Sequence, residues 1–121
     1  MPEFDIIPLV KIVTGIDIVD VSEFRTHLNE GGDSFLSRLF LPIEYDRIEP
    51  VHLAGVFAAK EAVIKALSLK AENWKNILVK KKDDGRPYVE LLDSSSDYVS
   101  CDLSISHTEA VAVAQFVALV P

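Results

Sequence analysis

Residues 50–67 read Pro-Val-His-Leu-Ala-Gly-Val-Phe-Ala-Ala-Lys-Glu-Ala-Val-Ile-Lys-Ala-Leu, and this stretch decides the fold. Pro50 suits a first helical turn. At about 100° per residue, Leu53, Val56, Phe57, Val63, Ile64 and Leu67 form a bulky arc. Ala59, Ala62 and Ala66 form a small-residue arc roughly opposite. A helix apolar on nearly every side is largely buried, so the spacing predicts a central helix from Pro50 to Leu67. Lys60, Glu61 and Lys65 interrupt it, and ionised groups enter a core only with partners, because desolvation is costly. Glu61 and Lys65 are four apart on one face. They form either an ordinary helical pair, worth about 0.2–0.5 kcal/mol if exposed, or part of a site.

Working outward, Leu9 to Val19 reads as a strand. Alternation puts Val10, Ile12, Thr14, Ile16 and Ile18 on one face and Lys11, Val13, Gly15 and Asp17 on the other. Asp20 followed by Glu23 has the spacing of a helix cap. Gly31-Gly32 ends or interrupts that helix, and a second piece with Phe35, Leu36, Leu39 and Phe40 stops at Pro42. Strands follow at Ile77–Lys80 and Tyr88–Leu92, joined by the turn-rich Asp83-Asp84-Gly85-Arg86-Pro87. Ser94-Ser95-Ser96 reads as a loop. Val99–Ser106 and Ala110–Leu119 read as a closing pair of strands. The order predicts an α+β fold, an antiparallel sheet packed on one long helix.

The 121 residues suffice for one core, and 49% hydrophobic with 26% charged residues is an ordinary globular balance. The single cysteine, Cys101, excludes an internal disulfide framework and any cysteine-rich zinc site. Glu3 and Asp5 stand where a secretory signal would be basic, and no run is long enough to span a bilayer, so a cytoplasmic protein with no membrane partner is expected. A net charge of −7 argues against nucleic acid as a partner. Lys75, Lys80, Lys81, Lys82 and Arg86 nevertheless crowd one stretch, suited to a small polyanion or to a solvated hairpin edge.

Asp17 ends an apolar strand where Asp is disfavoured. Asp20 has a capping job, whereas Asp17 has no evident structural one. A strand-end Asp, a helical Glu and a nearby Lys supply two hard oxygen ligands and a phosphate-seeking cation, which suits Mg²⁺ with a diphosphate. In Asp102-Leu103-Ser104-Ile105-Ser106-His107-Thr108 the serines share one strand face, and His107 and Thr108 sit at its end. A histidine beside hydroxyls can bind phosphate oxygens, or serve only the turn. No nucleophile elbow surrounds either serine, so neither makes a serine-hydrolase case with His107.

Four segments in this order resemble the holo-acyl-carrier-protein synthase family, the short trimeric type of 4′-phosphopantetheinyl transferase. They are Gly15-Ile16-Asp17-Ile18-Val19; Leu53 through Phe57-Ala58-Ala59-Lys60-Glu61-Ala62 to Lys65-Ala66-Leu67; Gly85-Arg86-Pro87; and Ser104-Ile105-Ser106-His107-Thr108. Arg38 and Glu44 agree more weakly. The resemblance implies one transferase domain over residues 1–121, with residues 1–10 as an N-terminal extension. It implies transfer of 4′-phosphopantetheine from coenzyme A to a serine of an acyl or peptidyl carrier protein. Asp17 and Glu61 would hold Mg²⁺, and with Lys65 they would form the catalytic set. Lys65, Gly85, Arg86, Pro87, Ser106, His107 and Thr108 would bind coenzyme A, His107 from a neighbouring subunit of a homotrimer with sites between subunits. Either a carboxylate or a metal-held water would take the serine proton. Val56 stands where many relatives carry an arginine that contacts the coenzyme. The alternative is a non-catalytic relative that binds coenzyme A or a carrier protein.

Overall fold

In the computed structural model, which describes residues 9–46, 48–93 and 97–121, strand β1 (Lys11–Asp20) passes directly into helix α1 (Val21–Leu39). Asp20 makes the junction: its carboxylate accepts from the Glu23 N–H at 2.9 Å, satisfying a free donor of the first turn. Gly32, at φ 54° and ψ −135°, kinks α1, so the predicted interruption lies inside one element rather than ending it. Helix α2 (Pro50–Leu67) has the predicted bounds and is the longest unbroken helix. Strands β2 (Ile77–Lys81), β3 (Pro87–Leu91), β4 (Ser100–His107) and β5 (Val111–Val120) follow, each within a residue or two of its expected limits. The serines at 94–96 and residues 1–8 of the expected extension lie outside the described residues.

The strands form two antiparallel sheets, β1-β5-β4 and the hairpin β2-β3. The hairpin turns at Gly85, whose φ of 89° favours a residue without a side chain. Lys82 N–H donates to Arg86 O at 2.8 Å, and Asp84 Oδ1 accepts from Arg86 N–H at 3.0 Å, closing the loop.

Helix α2 lies across the larger sheet, and its small-residue arc explains how closely. A Cβ on Gly15 would stand 2.0 Å from the Ala62 carbonyl oxygen and 2.9 Å from Ala66 N. Only glycine fits. The face of β1 that carries Val13, Gly15 and Asp17 therefore turns inward. The isoleucine face turns out, leaving Ile12, Ile16 and Ile18 between 59% and 69% exposed. Proximity of the helix backbone decides the orientation here, over the greater apolarity of the other face. The far side of α2 packs on α1, where Phe24 meets Phe35, Phe40 and Phe57 with centroids 5.4–6.3 Å apart.

A buried ion pair ties these pieces together. Lys60 is wholly enclosed, and its Nζ donates to Glu44 Oε1 at 2.6 Å, Leu39 O at 3.0 Å and Trp74 O at 3.0 Å. All three ammonium donors are used. Glu44, in a 3₁₀ turn (Pro42–Glu44), also accepts from Leu41 N–H at 2.8 Å and Val79 N–H at 2.9 Å. Burial holds the Lys60 ammonium below its ordinary range, and the Glu44 carboxylate opposes that shift. Removing one partner strands the other charge. Lys60→Met is expected to cost about 3–5 kcal/mol, read from urea unfolding, with part of the loss recovered in the Glu44→Gln/Lys60→Met double variant. Gly15→Ala should cost about 3 kcal/mol, the upper end of overpacking in cores, by the same measurement.

Candidate active site

The close approach at Gly15 carries Asp17, two residues along the same strand face, beneath the last turns of α2. Lys65 reaches down to it: Nζ stands 3.0 Å from Asp17 Oδ1 and donates to the Ile16 carbonyl at 2.9 Å. Asp17 is 18% exposed and Lys65 55%, so the pair lies at the surface rather than in the core. Glu61, one turn before Lys65, is half-buried. Its carboxyl is pushed above the ordinary value of 4.5, first by burial and then by the Asp17 charge. Lys65 and the Trp74 indole N–H act in the opposite direction and favour the ionised form. Trp74 Nε1 is nevertheless buried with no hydrogen-bond partner among the described residues.

Asp17, Glu61 and Lys65 thus share one electrostatic neighbourhood, as the sequence predicts. The two carboxylates repel and one ammonium partly compensates, which fits a hard divalent cation held by two oxygen donors. Among the described residues no group of three or more His, Cys, Asp and Glu gathers as a metal cage. Magnesium does not require one, because it keeps several waters and substrate oxygens.

The other predicted residues lie elsewhere in the same chain. Gly85, Pro87 and His107 line an open cavity of about 700 Å³ together with Lys80, Val56 and Ile105. The cavity borders the first half of α2, where a Cβ on Gly55 would come 3.1 Å from Ile105 Cγ2. Asp17 pairs across the sheet with Ala114, and Ala114 with Ile105. Along the sheet, Ile105 at the cavity edge is therefore two strands, about 10 Å, from the Asp17 backbone, and His107 lies beyond it. Arg86 faces a smaller recess with Asp102 and Ser104. Ser106 is exposed on the outer sheet face, opposite Val113. Thr108 Oγ1 accepts from Ala110 and Val111 N–H at 3.1 and 3.2 Å, so it closes the β4–β5 turn. Trp74 escaped the sequence reading. The orphan in that reading was Lys60, whose need for buried acceptors was the one signal leading toward the loop that carries Trp74.

An α+β chain of this topology, with paired carboxylates beneath its central helix, matches the family model of the 4′-phosphopantetheinyl transferase superfamily over residues 14–115. A holo-[acyl-carrier-protein] synthase of Alkaliphilus metalliredigens is 41% identical over 118 residues, covering 86% of this chain and 95% of the relative. One from Trichlorobacter lovleyi is 36% identical over 121 residues, covering 88% and 96%. The crystal structure of Helicobacter pylori holo-[acyl-carrier-protein] synthase in complex with coenzyme A superposes with a TM-score of 0.79 at 29% identity, over 87% of this chain and 98% of that one. A Chronobacterium ammoniagenes synthase–coenzyme A complex gives 0.78 at 29%, over 92% and 98%. The chain belongs to the holo-[acyl-carrier-protein] synthase family.

The raised Glu61 carboxyl has a measurable consequence for the metal-free protein. A carboxyl that binds its proton more tightly when folded stabilises the fold below its unfolded value, and that contribution is lost as pH rises through the folded value. Glu61→Gln should therefore raise the melting temperature at pH 7–8, with the gain shrinking toward pH 4, in thermal scans with chelator present.

Proposed function

We propose that this chain transfers 4′-phosphopantetheine from coenzyme A to a serine hydroxyl of an acyl carrier protein and releases adenosine 3′,5′-bisphosphate. The observation that carries the reading is the Lys65–Asp17 contact at 3.0 Å beside the half-buried Glu61. Asp17 and Glu61 are the residues to hold Mg²⁺, which when bound neutralises diphosphate charge. Lys65, half exposed beside them, offers an ammonium to phosphate oxygens in charge-assisted hydrogen bonds and steadies the departing bisphosphate. The serine oxygen forms its bond to the phosphorus bearing the pantetheine arm as the bond to the bridging oxygen breaks. The carboxylate pair is the chain's nearest basic group for the hydroxyl proton. Positioning and charge neutralisation supply most of the acceleration in transfers of this kind.

One chain does not assemble the whole set, which supports a homotrimer with sites between subunits. The carboxylate cluster and the cavity of His107, Gly85 and Pro87 sit at opposite ends of α2. On the outer face of the larger sheet the β1 edge exposes Ile12, Ile16 and Ile18, an apolar strip suited to an interface between copies. In that assembly the cluster of one subunit meets His107 of the next, and Arg86, Ser106 and Thr108 lie near the junction. Lys80 and Lys81 line the cavity wall together with Asp46 and Glu49, so it carries charges of both signs. Val56 is buried among α1 and α2 side chains and offers no charge there. Among the described residues no helix is long and apolar enough to cross a membrane. A cytoplasmic, single-domain enzyme completes the reading.

Incubation with coenzyme A, Mg²⁺ and an apo carrier protein should add one phosphopantetheine mass per carrier in mass spectrometry, and chelator should stop it. Asp17→Ala and Glu61→Ala should each reduce the rate at least about a hundredfold, the scale of losing one preorganised electrostatic group. Asp17→Ala and His107→Ala chains, refolded together, should regain activity that neither has alone. Full activity in either carboxylate variant refutes the site, and failure of complementation refutes the shared-site arrangement.

A further inference from the structure

Among the described residues the hairpin β2-β3 forms a sheet of its own and shares no strand ladder with the larger one. Two strands alone are marginally stable, so contacts outside the ladder must fix the hairpin. Its register identifies them. Lys82 N–H donates to Arg86 O and Leu92 N–H to Asn76 O, so the even-numbered residues of β2 face β3. The N–H groups of Ile77, Val79 and Lys81 therefore point to the free edge. Ile77 donates to the Trp74 carbonyl, and Val79 donates to Glu44 Oε2 at 2.9 Å. Lys60 Nζ holds both acceptors, the carbonyl at 3.0 Å and Glu44 Oε1 at 2.6 Å. A carbonyl and a carboxylate thus stand where a third strand would, and one buried ammonium on α2 secures both.

The same two elements wall the cavity of about 700 Å³. Lys81, Gly85 and Pro87 come from the hairpin, Gly55 and Val56 from α2, and Glu44, which bonds to both elements, also lines it. We propose that Glu44 is a positioning residue for coenzyme binding: by joining Val79 of the hairpin to Lys60 of α2, its carboxylate sets the separation of the two cavity walls. It touches no reacting group, so it acts through the wall residues. Its effect falls on affinity for the coenzyme, because the spacing of Asp17 and Glu61 is fixed on the other side of the helix, where Gly15 meets Ala62 and Ala66. The inference rests on the reading of this cavity as the coenzyme seat.

The test titrates coenzyme A into the intact protein with Mg²⁺ by calorimetry and follows transfer to an apo carrier, at a temperature where circular dichroism shows each variant folded. Glu44→Gln keeps the shape and removes the charge that accepts from Leu41, Lys60 and Val79. It should weaken coenzyme binding and raise the coenzyme KM about tenfold or more, the scale of one lost hydrogen bond to a charged group. Its kcat at saturating coenzyme, and its affinity for Mn²⁺ alone by electron paramagnetic resonance, should stay within about twofold. Glu44→Asp, which keeps the charge but is one methylene short of holding both partners, should fall between. Unchanged coenzyme affinity in folded Glu44→Gln overturns the inference. So does a parallel loss of coenzyme and Mn²⁺ affinity, which marks general loosening. Lys81→Glu tests the underlying reading by reversing a charge on the cavity wall: unaltered coenzyme affinity there overturns the cavity as the seat, and the inference with it. Should the Glu44 variants fail to fold, amide exchange in the unaltered protein decides. Saturating coenzyme must slow exchange at Ile77 and Val79, and unchanged exchange with coenzyme bound overturns the proposal.

Discussion

The Lys60–Glu44 pair, sealed at 2.6 Å, is the interaction on which the rest of the structure depends. Neither charge has water to fall back on, so each must be satisfied by protein. The ammonium collects the end of α1 at Leu39 and the Trp74 loop. The carboxylate collects Leu41 and the start of the hairpin at Val79. Segments far apart in sequence are fixed relative to α2 by polar contacts that tolerate little displacement. The surrounding aromatic and aliphatic packing supplies driving force, but it is less directional. The pair specifies how the 3₁₀ turn, the loop and the hairpin arrive at the helix.

A second constraint acts beneath the helix. Gly15 allows backbone-to-backbone contact with Ala62 and Ala66, and the strand then delivers Asp17 under Glu61 and Lys65. The two constraints divide the work along one helix. Lys60 organises the side that faces α1 and the loops, and the alanine stripe organises the side that faces the sheet. Glu61 lies next to Lys60 in sequence and shares the environment of Asp17, so both sets of contacts converge on it. The apolar outer face of β1 is the counterpart of this arrangement: turning Gly15 and Asp17 inward necessarily sends the isoleucines out.

Much of this was legible in the residues because the signals were local. Pro50 and the continuous apolar pattern bounded α2 to the residue, and Asp20 with Glu23 marked the start of α1. Asp17 was legible as a candidate because no structural role competed for it, and its contact with Lys65 is what the folded chain adds. Strand limits slipped by a residue or two, since nothing like a cap or a proline marks most of those ends. The partner of Lys60 was not legible, because Glu44 lies 16 residues away in a turn before α2 and only the three-dimensional path joins them. The place of Trp74 was hidden for the same reason. Alternation separated the two faces of β1 correctly without saying which was inner. That choice depended on a helix approaching closely enough to demand glycine. The distance between Asp17 and His107 was also invisible, because register across three strands is a property of the folded sheet.

The contact of Gly15 with the α2 backbone also limits how far β1 and α2 can shift against one another. A helix resting on side chains can slide by a fraction of an ångström as they change rotamer, whereas one seated on a strand's main chain has no such slack. The spacing between the strand-borne and helix-borne oxygens is therefore set by the skeleton. What freedom remains lies in the side-chain torsions of Asp17 and Glu61. On the proposed cation-site reading, discrimination between ions of different radius would fall to the rotamers of Asp17 and Glu61, on an otherwise rigid frame.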